Sequence, residues 1–203
     1  MDPGTFRGVI RRTWVCLATL FAASAAVISC GGDGDSPRPV ADDPGPIHVH
    51  GLGVNPKDGA LFIATHTGLF RAGPNSLRAT RVGGRHQDTM GFTVVGPDRF
   101  LGSGHPDARD RLPPFLGLIA SADAGKSWRP ISLLGRSDFH VLEAAGARVY
   151  GFGSDYESRE PQFLVSADGG RRWDKRDVPE PIVSLAVDPR DKDRLVASGE
   201  SAL

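Results

Sequence analysis

The sequence contains two copies of one short pattern, and their spacing constrains the fold more than any other feature. The copies are S-A-D-A-G-K-S-W at residues 121–128 and S-A-D-G-G-R-R-W at residues 166–173, and they begin 45 residues apart. A repeat period in the 40s, with short alternating apolar runs between turn residues, is typical of the four-stranded blades of a β-propeller. The spacing therefore predicts an all-β chain built from stacked blades.

The shared pattern, S-x-D-x-G-x-x-W, has the chemistry of a tight turn. Ser and Asp side chains hydrogen-bond backbone groups of turns, Gly adopts the left-handed conformation, and Trp can fold back over the hairpin. We therefore expect a structural role for both copies. The residues concerned are Ser121, Asp123, Gly125, Trp128, Ser166, Asp168, Gly170 and Trp173.

Both octapeptides resemble the Asp-box, or BNR, repeat of sialidases, sortilin-type receptors and photosystem assembly factors. The resemblance covers residues 47–203, and it implies a propeller in which the box lies in an outer-strand turn, away from the central site. The chain is also similar to bacterial secreted proteins described as glycosyl-hydrolase-like or exo-sialidase-like. Because the family includes enzymes and non-enzymes, the resemblance implies a fold and leaves the activity open.

Four hairpin-like units can be aligned along the chain, with Pro, Asp, Gly or Asn at their turns. The inner strands are expected at residues 47–54, 90–95, 140–144 and 182–187, and the second strands at 60–65, 99–103, 148–152 and 195–198. The third strands are expected at 68–72, 118–122 and 163–167. The fourth unit stops halfway through a blade. We therefore expect about three and a half blades at residues 47–203, which is a truncated ring, since closed propellers have ~4 to 8.

Residues 1–30 have the pattern of a bacterial export signal. Arginines precede an apolar stretch at residues 14–28, which is shorter than the ~20 residues that a membrane-spanning helix prefers. The stretch ends in V-I-S-C-G, which resembles a lipobox with Cys30 as the lipidated residue. A plain signal peptide and a membrane anchor are the alternatives. The pattern predicts an exported lipoprotein of the cell membrane that faces outward, in the periplasm or at the cell surface.

The composition limits the remaining classes of partner. Residues 31–46 are rich in Gly, Asp and Pro and predict a disordered linker. The only cysteines are Cys16 and Cys30, so the mature propeller would have no disulfide. The 24 basic and 24 acidic residues are mixed along the chain, and nothing in this pattern favours nucleic acid as a partner.

The histidines fall at equivalent positions of the first three units. One inner-strand position is occupied by His50, Met90, His140 and Val183, and the position two residues earlier by His48, Asp88, Asp138 and Pro181. A further ring after the second strand contains His66, His105, Asp155 and Glu200. Inner strands line the axial channel of a propeller, and residues two apart share a strand face, so we expect these side chains to converge.

This pattern predicts a metal or polar-ligand site near the axis. The candidate ligands are His48, His50, His66, His105 and His140, with Asp88 or Met90 as neighbours. Imidazole suits zinc, copper or nickel, and a thioether favours copper(I), so copper and zinc are the candidate cofactors. A metal-free ligand site and a hydrated channel wall without a site are the alternatives.

The sequence favours a non-catalytic binding module for a glycan, a small molecule or a protein, anchored to the membrane by lipid. The alternative is an exo-sialidase-like glycoside hydrolase whose catalytic residues lie partly in missing blades. A sialidase requires an arginine cluster, a Tyr nucleophile paired with Glu, and an Asp. The F-R-I-P type of motif that precedes the first box in sialidases is absent from this sequence.

Overall fold

The computed structural model describes residues 43–201, and these residues form an all-β structure. The predicted export signal with Cys30, and the predicted linker as far as residue 42, lie outside the described residues. Within the described range, no helix is long and apolar enough to cross a membrane.

The strands form three four-stranded antiparallel sheets and one hairpin. The first sheet contains β1 (Val49–Val54), β2 (Leu61–Thr65), β3 (Gly68–Ala72) and β4 (Ala79–Arg81). The second contains β5 (Asp88–Gly96), β6 (Arg99–His105), β7 (Leu118–Ser121) and β8 (Arg129–Ser132). The third contains β9 (Ser137–Ala145), β10 (Arg148–Asp155), β11 (Pro161–Ser166) and β12 (Asp174–Arg176), and the hairpin contains β13 (Ile182–Asp188) and β14 (Asp191–Gly199).

The sheets are the blades of a propeller, so the predicted fold class is confirmed. Each sheet has its strands in chain order, and the first strands of successive blades pack together: β5 contacts β1 and β9, and β9 contacts β13. These first strands are therefore the inner ones. Three full blades and a half blade are present among the described residues, as the repeat alignment predicts.

The hydrophobic core lies between blades. One cluster joins blades one and two through Phe62, Leu69, Phe92 and Phe100, with Trp128 packed against it. The equivalent cluster between blades two and three contains Leu118, Phe139 and Leu164, with Trp173 packed against it. A third, around Tyr150, Phe163, Ile182 and Leu185, joins blade three to the hairpin. Each blade is thus stabilised mainly by the blade before or after it.

The two octapeptides form equivalent turns between the third and fourth strands of blades two and three. Ser121 Oγ donates to Asp123 Oδ1 at 2.8 Å and accepts from the Gly125 N–H at 2.8 Å. Ser166 Oγ makes the corresponding bonds to Asp168 Oδ1 and Gly170 N, both at 2.9 Å. These bonds satisfy the polar groups of a tight outer turn.

The glycines of these turns are required by conformation and by packing. Gly125 and Gly170 have φ of 81° and 83°, a region that residues with a Cβ rarely adopt. A Cβ would also lie 2.3 Å from Leu69 of blade one at Gly125, and 2.0 Å from Leu118 of blade two at Gly170. Each turn therefore docks against the third strand of the preceding blade.

The last residues of the predicted linker contact the first blade. Arg81 donates from Nε to Asp43 Oδ2 at 2.9 Å and from Nη2 to the other carboxylate oxygen. Its guanidinium lies 4.5 Å from the centre of the Phe70 ring. Thr67 Oγ1 donates to the carbonyl of Gly45 at 2.6 Å. The chain is therefore attached to blade one from Asp43 onward.

Replacing Asp43 with Asn is expected to reduce stability in a pH-dependent way. The hydrogen bonds from Arg81 are the main reason that the pKa of Asp43 is lowered from 3.8 to about 2. A carboxyl with a depressed folded-state pKa stabilises the fold above its unfolded pKa and loses this contribution as the pH falls toward its folded pKa. We expect a loss of about 1 kcal/mol at pH 7, after allowance for solvent screening, and little loss near pH 2.

Urea denaturation of wild type and Asp43→Asn between pH 7 and pH 2 measures this difference. The two free energies of unfolding should converge mainly between pH 4 and pH 2, the window set by the two pKa values. A difference that is constant over this range would contradict the assigned pairing.

Candidate functional site

Every inner strand contains a register shift at the same repeat position. In β1, Val49 pairs with Thr65 and Gly51 with Ala64, so His50 is an extra residue. The extra residues of β9 and β13 are His140 and Val183, and that of β5 falls at Met90–Gly91. A β-bulge bends its strand and re-aims the side chains beside it, and bulges are common next to functional sites. The position that the repeat alignment singled out is therefore the bulge position.

The first group of side chains centres on Asp88, at the start of β5. The Asp88 carboxylate lies between two imidazoles of blade one: Oδ2 is 3.0 Å from His66 Nδ1, and Oδ1 is 3.5 Å from His50 Nε2. One ligand atom of each residue lies within 4.8 Å of the other two. Ligands about 2.1 Å from a tetrahedral zinc ion are about 3.4 Å apart. Each imidazole lies close to this separation from one of the two carboxylate oxygens, His66 from Oδ2 and His50 from Oδ1.

His48 is next to this group and has a strained backbone. Its ring stacks on that of His50, with centroids 5.7 Å apart, and lies 6.3 Å from that of His66. Its φ is 56°, which is uncommon for a residue with a Cβ. The N–H of His66 donates to the carbonyls of Ile47 and His48, which holds this conformation. Strain of this kind is concentrated at functional sites.

The second group centres on Asp138, on β9 of blade three. Asp138 Oδ2 lies 3.0 Å from His140 Nε2 of the same strand and 3.4 Å from His105 Nε2 at the end of β6. The Asp138 side chain is only 4% exposed, whereas those of His105 and His140 are 39% and 50% exposed. A buried carboxylate thus has two accessible imidazoles over it.

The two groups are electrostatically coupled. Burial raises the pKa of Asp88, as does the Asp138 carboxylate, while the neighbouring imidazoles oppose this rise. Burial lowers the pKa of His50. The hydrogen bond that His140 donates to Asp138 raises the pKa of His140, and the Asp88 carboxylate contributes in the same direction. The five imidazoles and two carboxylates therefore form one continuous cluster at the inner ends of three blades.

Three buried atoms of this cluster have no hydrogen-bond partner among the described residues: His50 Nε2, Asp88 Oδ1 and Asp138 Oδ1. A buried polar atom without a partner costs about 1–3 kcal/mol. Imidazole nitrogens and carboxylate oxygens are ligands of zinc, copper and nickel. A cation bound between His50 Nε2 and Asp88 Oδ1 would satisfy both of these atoms.

Glycines allow the two carboxylate-bearing strands to approach their neighbours closely. A Cβ at Gly104 would lie 2.1 Å from the carbonyl oxygen of Asp88, and one at Gly153 would lie 1.7 Å from that of Asp138. These glycines occupy equivalent positions, opposite Thr89 and Phe139. Blades two and three therefore position their aspartates in the same way.

Most of the candidate ligands predicted from sequence lie in the cluster. The structure brings together His48, His50, His66 and Asp88, and places His105 and His140 beside them. Met90 lies two residues beyond Asp88 and is partly buried. Asp138 was aligned with Asp88 by the repeat but was not among the predicted ligands. That alignment with Asp88 is the signal that identifies it.

The predicted ring after the second strands needs a correction in blade three. Asp88 pairs with His105 in blade two, and the equivalent Asp138 pairs with Ser154. Asp155 is one residue beyond this level, and its Oδ1 accepts hydrogen bonds from the backbone of Glu157 and Ser158 in a local turn. An alignment without the register cannot resolve a shift of one residue.

Comparison with known proteins supports the fold. No protein-family model matches the chain, and no curated protein matches it. Solved structures do match. An ancestral GH74 enzyme has a TM-score of 0.54 at 11% identity over 75% of this chain, and the Niastella koreensis GH74 enzyme has 0.53 at 17% identity over 74%. The chain spans 22% and 25% of these two enzymes. At these identities, the likeness shows a propeller fold of the kind found in GH74 enzymes.

Proposed function

We propose that this chain is an exported, lipid-anchored β-propeller of the Asp-box type whose axial face binds a transition-metal ion. The ligands are His50, His66 and Asp88, with His48 beside them. The observation that carries the proposal is the convergence of three ligand atoms, from two blades, within 4.8 Å of one another. The equivalent bonding of the two octapeptide turns supports the Asp-box assignment.

A metal ion between His50 and Asp88 would satisfy two facing buried atoms. His50 and Asp88 are only 18% and 13% exposed, and their facing atoms, 3.5 Å apart, are without hydrogen-bond partners in the described structure. Two imidazoles and a carboxylate suit zinc or copper(II), and the three protein ligands leave a coordination position open for a further ligand.

Metal titration of the full chain, purified without chelator, tests this function. Native mass spectrometry and calorimetry with zinc(II) and copper(II) should detect tight binding to the folded protein. His50→Ala and Asp88→Asn should each weaken the affinity of this site by about 100-fold or more, because each removes a ligand atom. His86→Ala is the matched control, since His86 is exposed and uses its backbone N–H to bond Asp107. Folded wild-type protein that binds neither metal would refute the proposal.

The export and anchoring part of the proposal rests on the sequence around Cys30. Cells that produce the chain and are fed labelled palmitate should incorporate label into the protein, and Cys30→Ser should abolish incorporation. A wild-type protein that is exported without label would indicate a plain signal peptide.

Glycoside hydrolysis is the second candidate function. It is favoured by the fold likeness to GH74 enzymes and by the resemblance of the octapeptides to a repeat found in sialidases. In this proposal the enzyme is exo-sialidase-like, with catalytic residues partly in blades outside this chain. Release of a fluorescent aglycone from an aryl sialoside, unaffected by chelator and by His50→Ala, would favour hydrolysis over metal binding.

A further inference from the structure

The Asp138 group contains two ring nitrogens that face one carboxylate oxygen. His105 Nε2 and His140 Nε2 lie 3.4 and 3.0 Å from Asp138 Oδ2. The two imidazoles come from different blades, His105 from the end of β6 and His140 from the bulge of β9. Both separations are close to those between neighbouring ligands of a tetrahedral metal ion.

The tautomer of His105 is set by its second nitrogen. Nδ1 lies 2.8 Å from the carbonyl oxygen of Pro114. A carbonyl only accepts hydrogen bonds, so Nδ1 carries the hydrogen, and the neutral ring has its lone pair on Nε2. This lone pair faces Asp138 Oδ2, which is also an acceptor. A proton on Nε2 or a metal ion between the two atoms makes this contact favourable, and both atoms are suitable metal ligands.

A bond from the remote ring nitrogen to a backbone carbonyl is also the usual support of a metal-binding histidine. It orients the ring and makes the metal-facing nitrogen more basic. Pro114 lies in the long loop between β6 and β7, and Phe115 of the same loop packs against the His105 ring, with centroids 5.5 Å apart. The loop therefore holds the His105 ring over Asp138.

The second oxygen of the Asp138 carboxylate makes no hydrogen bond to the described residues. Its Oδ1 is buried and has no hydrogen-bond partner among the described residues, and the residue as a whole is 3% exposed. A buried ionised carboxylate is costly unless it is paired or bound to a metal. Asp138 thus resembles Asp88 of the preceding blade: each is a largely buried carboxylate with one oxygen that has no hydrogen-bond partner among the described residues.

We propose that the axial face binds a second metal ion, through His105, Asp138 and His140. This inference rests on the proposed function, because the second centre adjoins the one at His50, His66 and Asp88. Among the described residues, only that first group has all three ligand atoms within 4.8 Å of one another. The second centre therefore forms by a movement of the half-exposed rings of His105 and His140, and it binds more weakly than the first.

Zinc titration of the full chain by native mass spectrometry, with calorimetry for the affinities, tests the second centre. Wild type should bind two ions in sequence. His105→Ala and Asp138→Asn should keep the first ion and weaken the second by about 100-fold. Asp88→Asn should instead weaken the first. Asp138→Asn alters a buried group and therefore also affects the stability of the fold. His105→Ala changes a half-exposed side chain of the same centre and avoids this complication. His86→Ala is the control.

The outcomes separate the two claims. A single ion in wild type at saturating zinc, or two ions still bound with unchanged affinities in His105→Ala, would overturn the second centre and leave the proposed function standing. Folded wild type that binds no ion would overturn both. Cobalt(II) substitution gives an independent measure, since loss of one imidazole changes the visible absorption of the second bound ion but leaves that of the first unchanged.

Discussion

Gly153→Ala is expected to destabilise the propeller by about 3–5 kcal/mol, in the range of the most severe single substitutions. A Cβ at this position would lie 1.7 Å from the carbonyl oxygen and 2.7 Å from the carbonyl carbon of Asp138. These are backbone atoms of the adjacent inner strand, so the overlap cannot be relieved by rotating a side chain. The strands β9 and β10 must separate locally, which breaks their ladder next to the bulge at His140.

The melting temperature and the zinc affinity of the folded fraction measure this effect. For a domain of this size, 4 kcal/mol corresponds to a decrease in melting temperature of about 10 °C. The affinity for the second ion should also fall, because Asp138 is displaced. Gly84→Ala is the matched control: a Cβ there meets nothing within 4 Å, and the change should be neutral or slightly stabilising. Equal melting temperatures for the two variants would contradict the close approach at Gly153.

Phe139→Ala is the second substitution with a large expected effect, a loss of about 3–5 kcal/mol. Phe139 is fully buried between blades two and three. Its ring centroid lies 5.2 Å from that of Trp173, and the ring covers Gly151, where a Cβ would come within 2.6 Å of it. Removing the ring leaves a cavity that the rigid neighbouring strands cannot fill.

Urea denaturation measures this loss. We expect a lower midpoint with an unchanged m-value, because such a result reports a loss of stability without a change in the unfolded state. Val196→Ala is the control, since Val196 is an apolar strand residue that is 61% exposed, and its truncation should cost less than about 0.5 kcal/mol. A cost below about 1 kcal/mol for Phe139→Ala would show that blades two and three are stabilised mainly by contacts elsewhere.

The blades could be predicted from sequence because their signals are local. The predicted third strand of blade one, residues 68–72, coincides with β3, and the predicted inner strand of the fourth unit, residues 182–187, lies within β13. Alternating apolar residues and turn formers act over a few residues, so a single chain is enough to recognise them. Two copies of the octapeptide then gave the repeat period.

The bulges could not be predicted in this way. One extra residue in an inner strand changes neither the composition nor the turn signals, and it becomes visible only when the strand is paired with its neighbour. The register also differs between blades: Asp88 pairs with His105, whereas the equivalent Asp138 pairs with Ser154 and not with Asp155, although both strands contain the bulge. Asp138 was overlooked as a ligand for a related reason, since its importance depends on His105, which lies in another blade.

The blade repeat, the order of the strands and the equivalent positions of the histidines, near the bulges of the inner strands and after the second strands, follow from the sequence alone. These follow from hydrophobic periodicity and from equivalent positions in a repeat. The division of the cluster into one group around Asp88 and another around Asp138 is visible only in the tertiary structure. That division depends on bulges, on glycines that allow close approach of strands, and on the packing of successive blades. These are distances between residues far apart in the chain, and no local pattern encodes them.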